Sequence, residues 1–294
     1  MKIRIWGGRG SIPTPGPSTV RYGGNTTCIE VLAGSGDRII IDGGSGVRTL
    51  GMELLKELPV SCSLFITHTH WDHIQGLPFF NPFFIPGNTV SIYGTFDPVY
   101  NKDLKTILTG QMEYCYFPIR SNELNAQITY TDLREGNQVT IGSVTVSPIL
   151  MNHPVLAFGY RFDEDGKRFF FTGDHEPPQN IYNQGDEEFS MYEELITRRE
   201  QKLFEFIQGA DLVIADSQYT EEEYETKVGW GHSTYPRCIQ FAQKVGAKQI
   251  CLTHHDPTRS DDALDSIMQD LKENRDWPES LEVTLAREGM EFEI

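Results

Sequence analysis

The chain has 294 residues, with 42 acidic side chains against 25 basic ones and a formal net charge of −17. That balance removes the global positive field that retains polyanions, so a general nucleic-acid binder and a membrane-surface protein are both disfavoured. With 38% hydrophobic and 23% charged residues, including 17 Phe and 12 Tyr, the chain has the material for a packed core and is not a disordered segment.

The opening residues, charged at Lys2 and Arg4, reach Gly7 and Gly8 without the apolar stretch of about 7–15 residues that a signal peptide needs. No window approaches the roughly 18 uninterrupted apolar residues of a membrane span, so no membrane partner and a cytoplasmic location are expected. Gly7-Gly8-Arg9-Gly10-Ser11 reads as a plain turn, and Arg9, Arg21 and Arg259 as solvated surface. Short strand-like runs then end repeatedly in small, polar or charged residues. Arg38 to Asp42 runs into Gly43-Gly44, Ser63 to Thr67 into a histidine cluster, and Arg168 to Thr172 into Gly173-Asp174. Asp211 to Ala215 runs into Asp216, and Gln249 to Thr253 into His254-His255-Asp256.

Between these runs the spacing predicts helices. One follows Gly46, and one begins at a Ser190/Glu193 capping-box pattern and ends at Gly209. Another opens at Pro236 and closes at Gly246, and one capped by Ser260 carries Leu264, Ile267, Met268 and Leu271 as a single stripe. The tail alternates at Leu281, Val283 and Leu285 and again at Met290, Phe292 and Ile294, which predicts a closing hairpin. Residues 94–126 are the least periodic and read as an insertion that covers a site or forms a dimer contact, within one α/β domain spanning 1–294. Cys28, Cys62, Cys115, Cys238 and Cys251 form no Cys-x-x-Cys pair and read as core thiols.

The decisive stretch is Thr67-His68-Thr69-His70-Trp71-Asp72-His73, three imidazoles and a carboxylate directly after an apolar strand. Imidazole nitrogen and carboxylate oxygen suit zinc and related divalent ions, and one short loop lets them converge. The remaining histidines, His153, His175, His232, His254 and His255, all lie in or beside turn-like motifs. A single metal takes about three or four protein ligands, so this supply points to a two-metal site.

The His-x-His-x-Asp-His loop at His68, His70, Asp72 and His73 resembles that of the metallo-β-lactamase superfamily, and the resemblance runs over nearly the whole chain. It implies an αββα sandwich, two mixed β-sheets face to face with helices outside. It also implies metal ligands: His68, His70 and His153 for one ion, Asp72, His73 and His254 for the other, with Asp174 between them and Asp42 as the family's early aspartate. His255 is the alternative last ligand. A finer resemblance is to the phosphodiesterase-like branch, which includes tRNA 3′-processing endonucleases, through Gly23-Gly24-Asn25-Thr26, His232-Ser233-Thr234 and Leu252-Thr253-His254. It implies that Asp216 and His232 pair as the group that protonates the leaving oxygen; the competing reading makes His232 a helix cap. Two features depart from related patterns. No long basic glycine-rich arm is present, and position 70 is His where the flavodiiron branch usually has glutamate.

The expected function is therefore a binuclear metal-dependent hydrolase, a phosphodiesterase acting on a small or cyclic phosphodiester. Zinc is the first choice of metal, and manganese or iron are alternatives. Two cations bring the pKa of a shared water towards neutrality, Asp72 holds one metal and orients the nucleophile, and His232 supplies the proton. The alternatives are a tRNA 3′-processing endoribonuclease, a carboxylic ester, lactone or thioester hydrolase, and a non-catalytic metal-binding protein.

Overall fold

Successive residues of a strand face opposite sides of its sheet, so a run that is apolar throughout needs cover on both faces. In the computed structural model, which describes residues 1–294, Arg38-Ile39-Ile40-Ile41 meets that demand. Ile39 and Ile41 pack into the core between two sheets, and Ile40 into an outer core under helices. Phe169 and Phe171 likewise point inward and Phe170 outward.

The first sheet contains β1 (Lys2–Gly7), β2 (Cys28–Leu32), β3 (Arg38–Ile41), β4 (Ser61–Phe65), β5 (Thr89–Gly94) and β6 (Gln127–Asp132). Helix α1 (Gly46–Leu54) follows β3, the short α2 (Trp71–Ile74) follows β4, and α3 (Leu104–Gly110) lies between β5 and β6. The second sheet contains β7 (Val139–Ile141), β8 (Val144–Leu150), β9 (Phe158–Glu164), β10 (Lys167–Phe171), β11 (Leu212–Asp216), β12 (Gln249–Thr253) and β13 (Glu282–Leu285). Its helices are α4 (Phe189–Ile207), the short α5 (Glu221–Tyr224), α6 (Tyr235–Lys244) and α7 (Asp261–Glu273). A last strand, β14 (Glu291–Glu293), returns to pair with β1, so each sheet has seven strands. In both sheets antiparallel pairs give way to parallel ones, at β3–β4 in the first and at β10–β11 in the second. This is the expected αββα sandwich. No helix is long and apolar enough to cross a membrane.

The inner core joins Ile5, Val31, Ile41 and Phe65 of the first sheet to Val146, Tyr160, Phe162 and Phe171 of the second. Each such side chain contributes roughly 1.5–3 kcal/mol on full burial. Ser260 and Thr234 cap α7 and α6, accepting from the N–H groups of Ala263 (3.1 Å) and Arg237 (3.4 Å).

Four expectations change. The tail is not a hairpin: β13 joins β12 in parallel and β14 joins β1, because each sheet has an open edge for one of the two segments. Ser190 does not cap α4, which begins one residue earlier, and the Glu193 carboxylate accepts instead from the Asn180 amide at 2.8 Å. Cys115 is exposed while the other four thiols are buried. Arg9 and Arg259, expected as solvated surface, are not: Arg9 is buried, donates to the carbonyls of Gly23 and Arg259 at 2.8 and 2.6 Å and pairs with Asp261, and the mostly buried Arg259 guanidinium pairs with Glu223 at 2.6 Å. Residues 94–126 form the crossover between the parallel strands β5 and β6. Tyr114 and Tyr116 are exposed there, and Phe117 meets Phe79 edge-on.

The Tyr160 hydroxyl crosses between the sheets and donates to the Ile66 carbonyl at 2.7 Å, just ahead of the histidine loop. Tyr160→Phe strands that buried carbonyl and is expected to lower stability by about 1–3 kcal/mol, read from urea unfolding. An unchanged midpoint would show that the bond contributes nothing.

Candidate metal centre

The polar groups stand where strands of both sheets end: Asp42 after β3, the histidine loop after β4, His153 after β8, Asp174 after β10, Asp216 at the end of β11 and His254 after β12. Sharp turns are needed to leave a strand there, and Asp42 (φ 60°), Gly173 (φ 59°) and His254 (φ 61°) adopt the left-handed conformation. Gly10 passes so close to His254 that a Cβ on it would lie 2.4 Å from the imidazole.

Three four-donor groups share Asp174, and one of them joins Asp174 and His254 to Asp216 and His232. His68, His70, His153 and Asp174 present ligand atoms within 4.8 Å of one another, and so do Asp72, His73, His254 and Asp174. Hydrogen bonds at Nδ1 orient three of the rings. His73 donates to Asp42 Oδ2 (2.8 Å), His153 to the Gly231 carbonyl (2.9 Å) and His254 to Gln218 Oε1 (3.2 Å). Each Nε2 then faces the centre, so that its lone pair would be the one a metal takes. The centre is rich in unmet polar atoms: His68 Nε2, His73 Nε2 and Asp174 Oδ1 are buried without a hydrogen-bond partner. His70 Nδ1 and His153 Nε2 face each other at 3.0 Å. Buried orphans of this kind are costly, and a nitrogen and oxygen donor set suits a divalent cation. The residues therefore fit the implied metals.

Charge supports the fit. Burial holds the imidazoles of His68, His70 and His153 below their ordinary range, His70 at about 4, so they are neutral lone-pair donors. Burial also opposes charge on His73 and His254, yet Asp174 and its neighbouring carboxylates raise both, His254 to about 9. Burial would raise Asp72 and Asp174 too, but the surrounding imidazoles hold both carboxyls well below the usual range. The buried negative charge that collects protons here is the charge that attracts a cation.

Of the two candidates for the last histidine, His254 enters the centre, with Nε2 3.1 Å from Asp72 and 3.3 Å from Asp174. His255 turns away, donating from Nε2 to the Ala286 carbonyl at 3.0 Å. His232 is not the helix cap, since Thr234 fills that place. Its Nδ1 lies 2.9 Å from Asp216 Oδ2, and its ring stacks 4.9 Å from that of His254. His175 lines a cavity of about 650 Å³ between α4 and α6. Its Nδ1 accepts from the Asn152 N–H, and its own N–H donates to Asp216.

Several contributors escaped sequence reasoning. The Ser11 N–H donates to Asp72 Oδ2 at 2.7 Å, which makes the glycine-rich turn part of the site. Thr67 donates through its N–H and hydroxyl to Asp42. The buried Glu176 carboxylate accepts from the N–H groups of Gly229 and Gly231. Their only sequence signal is nearness to the recognised motifs.

A sequence profile of the β-lactamase superfamily domain matches residues 37–255. A ribonuclease Z of Haloarcula marismortui is 24% identical over all of this chain and 97% of its own length. Among solved structures, a diphosphatase of the PhnP family superposes with a TM-score of 0.64 at 18% identity, covering 100% of this chain and 97% of its own. Zinc-bound PqqB of Methylobacterium extorquens gives a TM-score of 0.64 at 15% identity and full coverage of both chains.

Asp42→Ala removes the acceptor shared by His73 and Thr67 inside the protein. The metal-free variant is expected to lose about 3–5 kcal/mol of stability, measured by thermal and urea unfolding; a loss under 1 kcal/mol would show that His73 is held by other contacts.

Proposed function

Because the chain belongs to the β-lactamase superfamily, we propose that it is a phosphodiesterase that hydrolyses a small or cyclic phosphodiester at a centre holding two divalent cations, zinc foremost. The observation that carries this reading is the pair of four-donor groups that include the histidine loop and share Asp174, with the Asp216-held His232 beside them. His68, His70 and His153 would hold one cation, Asp72, His73 and His254 the other, and Asp174 would bridge. Cations held there would supply hydroxide at neutral pH and would offset negative charge on a phosphoryl oxygen.

The chain's own groups do the remainder. Asp42, Gln218 and the Gly231 carbonyl keep three imidazoles aimed at the centre, and the Ser11 N–H fixes Asp72. Asp216 holds the Nδ1 of His232, so its Nε2–H is free to meet the leaving oxygen. As the oxygen of hydroxide bonds to phosphorus and the bond from phosphorus to the leaving oxygen breaks, the leaving oxygen takes the Nε2 proton and departs as the alcohol. An acyl-ester hydrolase with a good leaving group has little use for such a pair.

A structured RNA is the second reading, favoured by the relationship to ribonuclease Z over the full chain. Against it, residues 172–188 contain no Lys or Arg, residues 111–126 contain only Arg120, and the net charge is −17. A polyanion loses the phosphate contacts that give it affinity on such a surface. Cleavage of a precursor tRNA faster than of any small diester would establish the RNA reading instead.

Zinc-loaded protein is expected to cleave bis(p-nitrophenyl) phosphate in preference to a p-nitrophenyl acyl ester, and Asp174→Ala to lose both bound metal and turnover. Preference for the acyl ester would refute the diesterase reading. His232→Ala should retain metal and slow cleavage of a diester with an alkyl leaving group by about 10²–10⁴-fold, while p-nitrophenolate release changes far less. Equal effects on both would remove the proton-donor role.

A further inference from the structure

Trp230 is 60% exposed in the connection between α5 and α6, yet the backbone that carries it is held by buried charge. The Glu176 carboxylate, 4% exposed, accepts from the Gly229 N–H at 2.8 Å, the Gly231 N–H at 2.7 Å and the Tyr224 hydroxyl at 2.5 Å. Gly229 and Gly231 flank the indole at φ 86° and 91°, and a Cβ on Gly231 would lie 2.3 Å from His153 Nδ1. Glu176 is itself tied to the segment bearing His153: its N–H donates to the Asn152 carbonyl, and the Asn152 amide donates to the Glu176 carbonyl, both at 2.9 Å. A buried carboxylate thus fixes the loop whose Gly231 carbonyl holds His153, and the same rigid backbone carries a large indole that stands mostly in solvent.

The neighbours of the indole lead inward. Lys227 Nζ lies 5.3 Å from the Trp230 ring centre and 4.6 Å from that of Tyr219, and the Tyr219 ring meets His232 edge-on at 5.9 Å. Lys227 thus touches both the exposed indole and the buried Tyr219 ring, and Tyr219 in turn touches His232, so successive contacts lead from solvent to that imidazole.

We propose that Trp230 and Lys227 form the subsite for the leaving side of the substrate, which carries a planar aromatic base of the nucleobase kind. The inference rests on the phosphodiesterase reading and narrows it to nucleotide-like diesters. The base stacks on the indole, and Lys227 supplies positive charge beside it in an otherwise acidic protein. Because the loop is already rigid, binding does not have to order it.

The test compares the zinc-loaded protein's binding of adenosine 5′-monophosphate and ribose 5-phosphate, which present the same phosphate with and without the base, by calorimetry. Adenosine monophosphate is expected to bind about tenfold more tightly. Trp230→Ala should abolish that difference without changing the affinity for ribose 5-phosphate, and Trp230→Phe should keep most of it. Equal binding of the two ligands by the unsubstituted protein, or a preference that survives in Trp230→Ala, overturns the subsite. Cleavage of bis(p-nitrophenyl) phosphate by the same preparations separates the failures. Cleavage without a base preference removes the subsite alone; no cleavage removes both the subsite and the reading beneath it.

Discussion

Asp174 lies within 4 Å of five imidazoles: His68 at 3.5 Å, His73 at 3.2 Å, His153 at 3.9 Å, His232 at 3.8 Å and His254 at 3.3 Å. A buried carboxylate is tolerable only when opposite charge or donors surround it, and so many clustered imidazoles are tolerable only around negative charge. Each side of this arrangement makes the other possible. Asp42, Asp72 and Asp216 extend the pattern outward, so that carboxylates and rings alternate. Delete the central carboxylate and the rings are left facing one another across a few ångströms.

Holding such a cluster has a conformational cost. Asp42 and His254 take a backbone conformation that side chains with a Cβ seldom adopt, and each does so where a strand must stop and aim its polar group sideways. The surroundings compensate locally. Asp42 accepts from three donors, the Thr67 N–H and hydroxyl and His73 Nδ1, while Gly10 leaves room for the His254 ring. Regular strands, covered on both faces, provide the stiffness against which these turns are held.

Much of this was legible in the sequence because the signals are local. The histidine loop packs four donors into six positions, and the apolar runs from Arg38, Arg168 and Gln249 each stop at a donor or an acid, so an α/β unit with polar groups at its strand ends could be read from the residues, while the αββα sandwich and the division of ligands came from the family resemblance those motifs carry. Other features depend on what the chain meets later. Leu281 to Leu285 and Met290 to Ile294 alternate as a hairpin would, but pairing is decided by the open edges of β12 and β1, far away in sequence. Ser190 and Glu193 match a capping box, yet Asn180 claims the carboxylate. Arg9 resembles a surface residue in a glycine-rich turn, and only the folded position of Gly23 and Arg259 explains its burial. Glu176 has no motif at all, because its partners are backbone amides more than fifty residues on.

The two four-donor groups that include the histidine loop take their members from both layers of the sandwich. His68 and His70 come from the first sheet and His153 and Asp174 from the second; Asp72 and His73 come from the first and His254 and Asp174 from the second. Coordination there would act as a rivet through the two layers, and shear between them would be felt first as a distorted polyhedron. Inter-sheet contacts remote from the chemistry, such as that of Phe65 with Phe162, would then hold the polyhedron in shape, and cohesion of the sandwich would bear on the competence of its centre.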